Sequence, residues 1–458
     1  MKKVMIPVKL HQQYVGTVEE VRYSGQGVIN LNDYEVLVPN AFEGEEIRYE
    51  ITQVNRYFSR ATLIEVIKAS KNRIDSDHAY LLEVGIAPYI NMSYAGQLAL
   101  KRQQIKRLYA KEQIEVEVAP TIGMDEPHHY RNKTIVPLQY IEGHLLTGFI
   151  RRRTRGEIVP LNDYYVNDPE IDRTIGLVRE VLDKHHISVY MDDEHKGEFR
   201  YIMVRRGYYS GEIMVVLVTQ SPSFTNEAGV VADIVKNVPG LKSLILNHNP
   251  RKLHAQLSGD NRTLWGKNSI SDTLLGIEFN IGPNSFYQVN PQTTEVLYEL
   301  AAQKAELKPS DTVIDAYSGI GTIGLTVASK VKAVLGVEIV ERAVADAQEN
   351  KAQNHITNAN FEVGDAPAKM QEWAKAGMPA DVIFVDPPRK GLTIELMDAV
   401  IMMRPSRFVY VSCNPESAAR DARYLLDHGY HLKGDILPVD QFPQTAHVES
   451  IAVFEPNK

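Results

Sequence analysis

The chain holds a single cysteine, Cys413, in 458 residues. One cysteine excludes a disulfide within the chain and any metal or iron–sulfur site built from several thiolates, and it suits a reducing cytoplasm. No apolar run approaches the ~20 residues that a membrane-spanning helix needs. The start, M-K-K-V-M-I-P-V-K-L, has only a short apolar stretch broken by Pro7, which does not make a signal peptide. Internal repeats and low-complexity segments are also missing. So is any excess of positive charge: the formal net charge is −8, and residues 286–458 hold 16 basic against 23 acidic side chains. A polyanionic partner would therefore have to use local basic patches. Three stand out: Lys101, Arg102, Lys106, Arg107 and Lys111; then Arg151, Arg152, Arg153 and Arg155; then Arg205 and Arg206.

What remains is ordinary globular material, 44% hydrophobic and 24% charged. The length allows about three domains. Residues 1–68 read as short alternating strands (Y-V-G-T-V-E-E-V, Y-E-V-L-V-P, I-R-Y-E-I-T-Q-V) separated by glycine turns. That pattern predicts a small β-barrel of the oligonucleotide-binding type, for which RNA binding and a purely structural role are both open. Residues 69–285 read as a central α+β domain. Within it a helix is expected over 93–110, capped by Ser93 and carrying Leu98, Ile105 and Leu108, with the option of packing on the third domain. Residues 286–458 alternate apolar strands with helices, which predicts a doubly wound, Rossmann-like parallel sheet. The fold class is thus α/β with two additional domains.

Three strand ends carry chemical groups. V-I-D-A-Y-S-G-I-G reaches Gly321, V-I-F-V-D-P-P-R-K-G holds Asp386, and V-Y-V-S-C-N-P holds Cys413. Sites of open α/β sheets lie along this carboxyl edge. Gly319 and Gly321 let the backbone turn tightly, and Glu338 at the end of the next strand suits the hydroxyls of a ribose. The dinucleotide fingerprint G-x-G-x-x-G directly after a strand is replaced by D-x-x-x-G-x-G-x-x-G, which favours S-adenosyl-L-methionine over a nicotinamide cofactor. Asp365 is placed either to reach the adenine amino group or simply to cap a helix.

Together with N-S-F-Y-Q-V-N-P (Asn284 to Pro291) and H-V-E (His447 to Glu449), these motifs closely resemble the RNA uracil-5-methyltransferase family over nearly the whole chain. The N-terminal strands resemble the TRAM domain carried by its ribosomal-RNA branch. The resemblance implies S-adenosyl-L-methionine as cofactor, held by Gln288, Tyr317, Glu338 and Asp386 beside the glycines. It implies Cys413 as the nucleophile that adds to C6 of uracil, and Glu449 as the acceptor of the C5 proton, with His447 the rival base on chemistry alone. A thiol in that role calls for a depressed pKa or a neighbouring base. Phe286 matches an aromatic that stacks on a base near the target, its alternative being a core position. The partner expected is 23S ribosomal RNA, with Arg151, Arg152 and Arg153 as candidate contacts and no obligate protein partner. Transfer RNA as substrate and a non-catalytic assembly role are the alternatives. One departure stands out: where many relatives place cysteines for an iron–sulfur cluster, before Ser93, this chain has L-L-E-V-G-I-A-P-Y-I-N-M, so no such cluster is expected and packing must serve in its place.

Overall fold

The computed structural model describes residues 6–152, 154, 156–191, 194–250, 256–257 and 259–458. Among them, no helix is long and apolar enough to cross a membrane.

The first six strands, between Gln13 and Lys68, form one sheet. In Glu46–Val54 the alternate residues Ile47, Tyr49 and Ile51 point inward and meet Val36, Val38 and Ala61 in a compact apolar cluster. A second sheet of seven strands runs from Lys133 to Gly266. Its strand Ile213–Thr219 is buried at every position. Ile213, Val215 and Leu217 face helices Pro169–Lys184 and Glu227–Asn237, while Met214, Val216 and Val218 enter the core of the C-terminal sheet. A run that is apolar without alternation is the signature of a strand covered on both faces. Leu81, Ala87 and Ile90, from the cysteine-free stretch before Ser93, pack into this same core with Leu161 and Tyr164.

The C-terminal sheet runs in the order Ala359–Val363, Ala333–Glu338, Thr312–Ala316, Val382–Val385, Arg407–Ser412, Glu449–Pro456, Tyr430–Leu432. The first five strands are parallel. Glu449–Pro456 is antiparallel to its neighbour, so the sheet is mixed where the sequence pattern predicts a parallel one. Between these two strands, the chain runs through helix Pro415–Asp427 and the short strands Tyr430–Leu432 and Leu437–Val439, and it returns through the loop Asp440–Val448. Ser450 pairs with Ser412, so the start of the last strand lies at the carboxyl ends of the others.

Helix Tyr94–Lys111 begins at Ser93, whose Oγ accepts from the Gly96 N–H at 3.3 Å. Ile105 and Tyr109 pack with Ile383, Tyr410 and Ala418 beneath the C-terminal sheet. On the same helix Lys101 donates to Asp440 at 2.5 Å, with both side chains fully buried. Gln97 exchanges hydrogen bonds with Gln444, through the side-chain oxygen at 2.9 Å and the backbone N–H at 3.0 Å. The helix therefore grips the return loop.

Removing one partner of a buried pair leaves an uncompensated charge. Lys101→Met should lower stability in urea by about 3–5 kcal/mol. The double replacement Lys101→Met with Asp440→Leu should recover most of that loss. Equal destabilisation of the two variants would show that the pair does not hold the loop.

Candidate functional site at the carboxyl edge

Cys413 follows strand Arg407–Ser412 and precedes helix Pro415–Asp427. Ser412 and Asn414 hold the turn. The Ser412 Oγ accepts from Asn414 N–H at 3.2 Å, the Asn414 Oδ1 caps the helix by accepting from Glu416 N–H at 3.2 Å, and the Asn414 Nδ2 donates to the Arg389 carbonyl at 2.8 Å. Asn414 thereby joins the Cys413 turn to the Pro387-Pro388-Arg389 loop that follows Asp386.

Glu449, the first residue of the antiparallel strand, is 2% exposed, and its Oε2 has no hydrogen-bond partner. An ionisable oxygen without a partner in a buried site is costly unless something else meets it. Burial, then the neighbouring charge of Asp386, holds the Glu449 carboxyl well above the usual carboxylate range. Asp386 is itself pushed up to about 7 by burial. The Cys413 thiol is raised to about 12, by burial first and then by the charges of Glu449 and Asp386, while Arg389 pulls it down. Of the two arrangements expected from the sequence, a depressed thiol or a neighbouring base, the thiol is not depressed: two carboxylates and desolvation outweigh one guanidinium. The neighbouring bases are there instead.

His447 is lowered to about 4 by burial and by Arg389, whose Nη2 donates to its ring at 2.7 Å. It is therefore a neutral imidazole near neutral pH, engaged by a cation.

The glycine loop sits one strand away. Tyr317, Gly319 and Gly321 all have positive φ, at 70°, 56° and 86°. At Gly321 an added Cβ would stand 2.9 Å from the Phe361 ring, so close approach as well as φ requires glycine. Behind the loop, the buried Asp315 accepts from the Gly324 N–H at 2.8 Å. Glu338 accepts from Gly319 N–H at 3.1 Å and Val340 N–H at 2.9 Å. The Ser318 Oγ is buried without a partner. A tight loop, an acid at the next strand end and an unpaired hydroxyl fit a nucleoside-bearing cofactor. Asp365 is exposed and caps helix Ala366–Lys375, accepting from Ala368 N–H at 3.3 Å, so the cap geometry is realised and one oxygen is left over.

The segment Gly282–Asn290 completes the edge. Arg205, 1% exposed, donates to the carbonyls of Gly282 at 2.7 Å and Ser285 at 2.9 Å. Asn132 donates to the Gln288 carbonyl at 3.1 Å, and the Gln288 side chain is buried. Phe286 projects outward, 68% exposed, which removes the core alternative.

The basic patches fare differently. Lys101 and Arg205 are interior, and Arg206 pairs with Asp168 at 2.8 Å. Arg107 pairs with Glu43 at 3.1 Å and Glu20 at 3.6 Å. Arg151 is engaged by Glu83 and Glu157, and the Arg152 N–H donates to the Glu83 carbonyl at 2.8 Å. Arg153 and Arg155 lie outside the described residues. Much of what reads as a polyanion-binding surface is thus engaged by carboxylates or backbone carbonyls of the chain itself. Sequence reasoning also passed over Tyr23, whose hydroxyl donates to the Cys413 carbonyl at 3.0 Å. A tyrosine 390 residues away carries no local signal for such a contact.

The electrostatics can be read directly, because the thiol is unique. Iodoacetamide should alkylate Cys413 of the free protein at a rate that keeps rising above pH 9, as a thiol raised to about 12 requires. Glu449→Gln removes a negative charge that raises the thiol, so its profile should move to lower pH. A wild-type profile that levels off below pH 8 would contradict the described site.

Comparison with known proteins agrees with the geometry. A family model for tRNA (uracil-5-)-methyltransferases matches residues 269–456. A protein of Lactiplantibacillus plantarum named as an uncharacterized RNA methyltransferase is 42% identical over 454 residues, 99% of each chain. A similarly named protein of Halalkalibacterium halodurans is 39% identical over 99% of each chain. Among solved structures, the Pyrococcus abyssi tRNA (uracil-54, C5)-methyltransferase in complex with S-adenosyl-L-homocysteine matches with a TM-score of 0.77 at 28% identity, covering 96% of this chain and 99% of its own. Similarity that runs the length of the chain, not only through its catalytic sheet, shows that this protein belongs to the S-adenosylmethionine-dependent RNA uracil-5-methyltransferase family.

Proposed function

We propose that the protein methylates C5 of a uridine in large-subunit ribosomal RNA through a covalent bond between Cys413 and C6. The observation that carries the reading is the unpartnered Glu449 oxygen, buried and electrostatically coupled to the thiol. C5 of uracil is a poor nucleophile. Cys413 attacks C6 as the thiolate, its proton having passed to solvent, and the addition moves the C5–C6 electron pair towards O4 and makes C5 nucleophilic. Bound S-adenosyl-L-methionine supplies an electrophilic methyl group. Tyr317, Gly319, Gly321, Glu338, Asp365, Asp386 and Gln288 are the residues we assign to holding it. Once C5 carries the methyl group, Glu449 takes the C5 proton, the C6–S bond breaks, and the sulfur leaves as thiolate. Glu449 accepts that proton as the carboxylate, and burial, by raising its pKa, makes this carboxylate a stronger base than an exposed one. Arg389 supplies the positive charge that favours the thiolate. His447 is the weaker candidate for the base, because its ring already accepts from Arg389.

Phe286, exposed on a loop anchored by Arg205, is assigned to stacking on a base beside the target. The choice of ribosomal RNA rests on the resemblance of the N-terminal sheet to a TRAM domain. Transfer RNA is the second reading, and a specific observation favours it: the matching Pyrococcus abyssi structure, a tRNA enzyme by name, covers 96% of this chain. An N-terminal sheet of this kind therefore does not by itself decide the RNA class.

Incubation with methyl-labelled cofactor and separate ribosomal and transfer RNA tests both choices. Label in 23S RNA is expected; label in transfer RNA alone would reverse the RNA class, and label in neither would overturn the function. Glu449→Gln keeps shape and hydrogen bonding but cannot take a proton. It should accumulate a labelled protein–RNA complex with natural uridine, visible on a denaturing gel. Normal turnover by this variant, or trapping by His447→Gln in its place, would reassign the base.

A further inference from the structure

In the turn Ser412–Pro415 the Ser412 hydroxyl and the backbone N–H and side-chain amide of Asn414 are satisfied from the turn itself, the helix that follows or the Arg389 loop. The carbonyl of the nucleophile itself is met from the other end of the chain. Tyr23 lies in the turn between strands Glu20–Val21 and Gln26–Asn30 of the N-terminal sheet, and its hydroxyl donates to the Cys413 carbonyl at 3.0 Å. The turn that carries Tyr23 is fixed in its own right. Gln104 of helix Tyr94–Lys111 donates to the carbonyls of Val21 at 3.2 Å and Arg22 at 3.0 Å. Gly25, at φ 81°, lies against Ala446 of the return loop, where an added Cβ would be 3.4 Å from the alanine. The Tyr23 ring meets the His447 ring edge-on, with centroids 6.3 Å apart. A cleft of about 920 Å3 opens here, lined by Tyr23, Arg22, Arg389, Asn414 and His447. Burial raises the phenol well above its usual range, so Tyr23 stays protonated and remains a donor.

We propose that Tyr23 is a positioning residue of the reaction: by holding the Cys413 carbonyl it fixes the orientation of the nucleophilic sulfur, which makes the N-terminal sheet part of the catalytic centre. The proposal rests on the methyl-transfer reading above. A backbone carbonyl one bond from the Cys413 Cα sets where the thiol can point. A sulfur that must approach C6 along one direction loses rate when its turn is free to rock. The N-terminal sheet thereby has a role separate from any contact it makes with RNA.

Tyr23→Phe keeps the ring and removes only the donor. In steady-state assays with the full-length protein we expect kcat to fall about tenfold. The KM values for S-adenosylmethionine and for RNA should stay within about twofold of wild type, as uniform binding is untouched. The melting temperature should be unchanged. Alkylation of the sole cysteine by iodoacetamide, which needs no turnover, should become several-fold faster as the turn loosens. An unchanged kcat with an unchanged alkylation rate overturns the proposal. So does a rise confined to the KM for RNA, which would make Tyr23 a substrate contact, and so does a fall in melting temperature parallel to the loss of kcat, which would make it packing. A wild-type protein that methylates no RNA would sink the functional reading instead, and the alkylation comparison would still decide what Tyr23 holds.

Discussion

Lys101 and Asp440 meet at 2.5 Å in the fully buried seam between a helix from the middle of the chain and the loop that returns to the carboxyl edge of the C-terminal sheet. Neither charge has a place in the interior alone, because desolvation of an unpaired ion costs far more than any local packing returns. Paired, they place the loop Asp440–Val448, and with it the first residue of the last strand. Gln97 with Gln444 repeats the grip a few residues on. Gln441 makes a third attachment, accepting from Thr293 at 2.6 Å and donating to Thr294 at 2.7 Å at the start of the helix that follows Gln288. His447 and Glu449 are therefore carried by a segment anchored at several points to elements far away in sequence.

That anchoring explains how a pocket can hold so unfavourable a set of groups. Cys413, Asp386 and Glu449 each raise or are raised by another, and burial pushes all three towards their neutral forms. A flexible site would relax this by turning a carboxylate to solvent. The grip on the return loop prevents it for Glu449, while the Asn414 bond to the Arg389 carbonyl ties the Cys413 turn to the loop after Asp386. Among the described residues, Arg389 is the cation that pulls Cys413 and Glu449 down, and it is shared with His447. Strained electrostatics of this kind is what functional sites hold and what the rest of the fold must withstand.

How much of this was legible depended on whether the cause lay close in sequence. Strand ends followed by D-P-P-R-K-G, S-C-N-P or a glycine pair announce an edge site, and the structure brings Asp386, Cys413 and Gly319 to one edge. Ser93 as a helix cap is equally local. Lys101 read as part of a basic patch, because nothing nearby reveals an aspartate 339 residues on. Arg205 read as patch and is a buried strut for the Phe286 loop for the same reason. Which of a depressed thiol or a neighbouring base the site would hold was not legible, because a pKa is the sum of every charge in a pocket, and the pocket is assembled from distant parts of the chain. The antiparallel last strand, which puts Glu449 at the edge, was hidden by a loop without a helical period.

The central claim is that Cys413 forms a covalent bond to the pyrimidine during turnover. RNA containing 5-fluorouridine offers the most direct measurement, since fluorine cannot leave C5 as a proton does. With cofactor present, the account predicts a stable protein–RNA adduct that, after digestion and mass spectrometry, maps to the peptide bearing Cys413 and carries one added methyl group. Methylation of natural uridine without any such adduct, or an adduct on another residue, would contradict it.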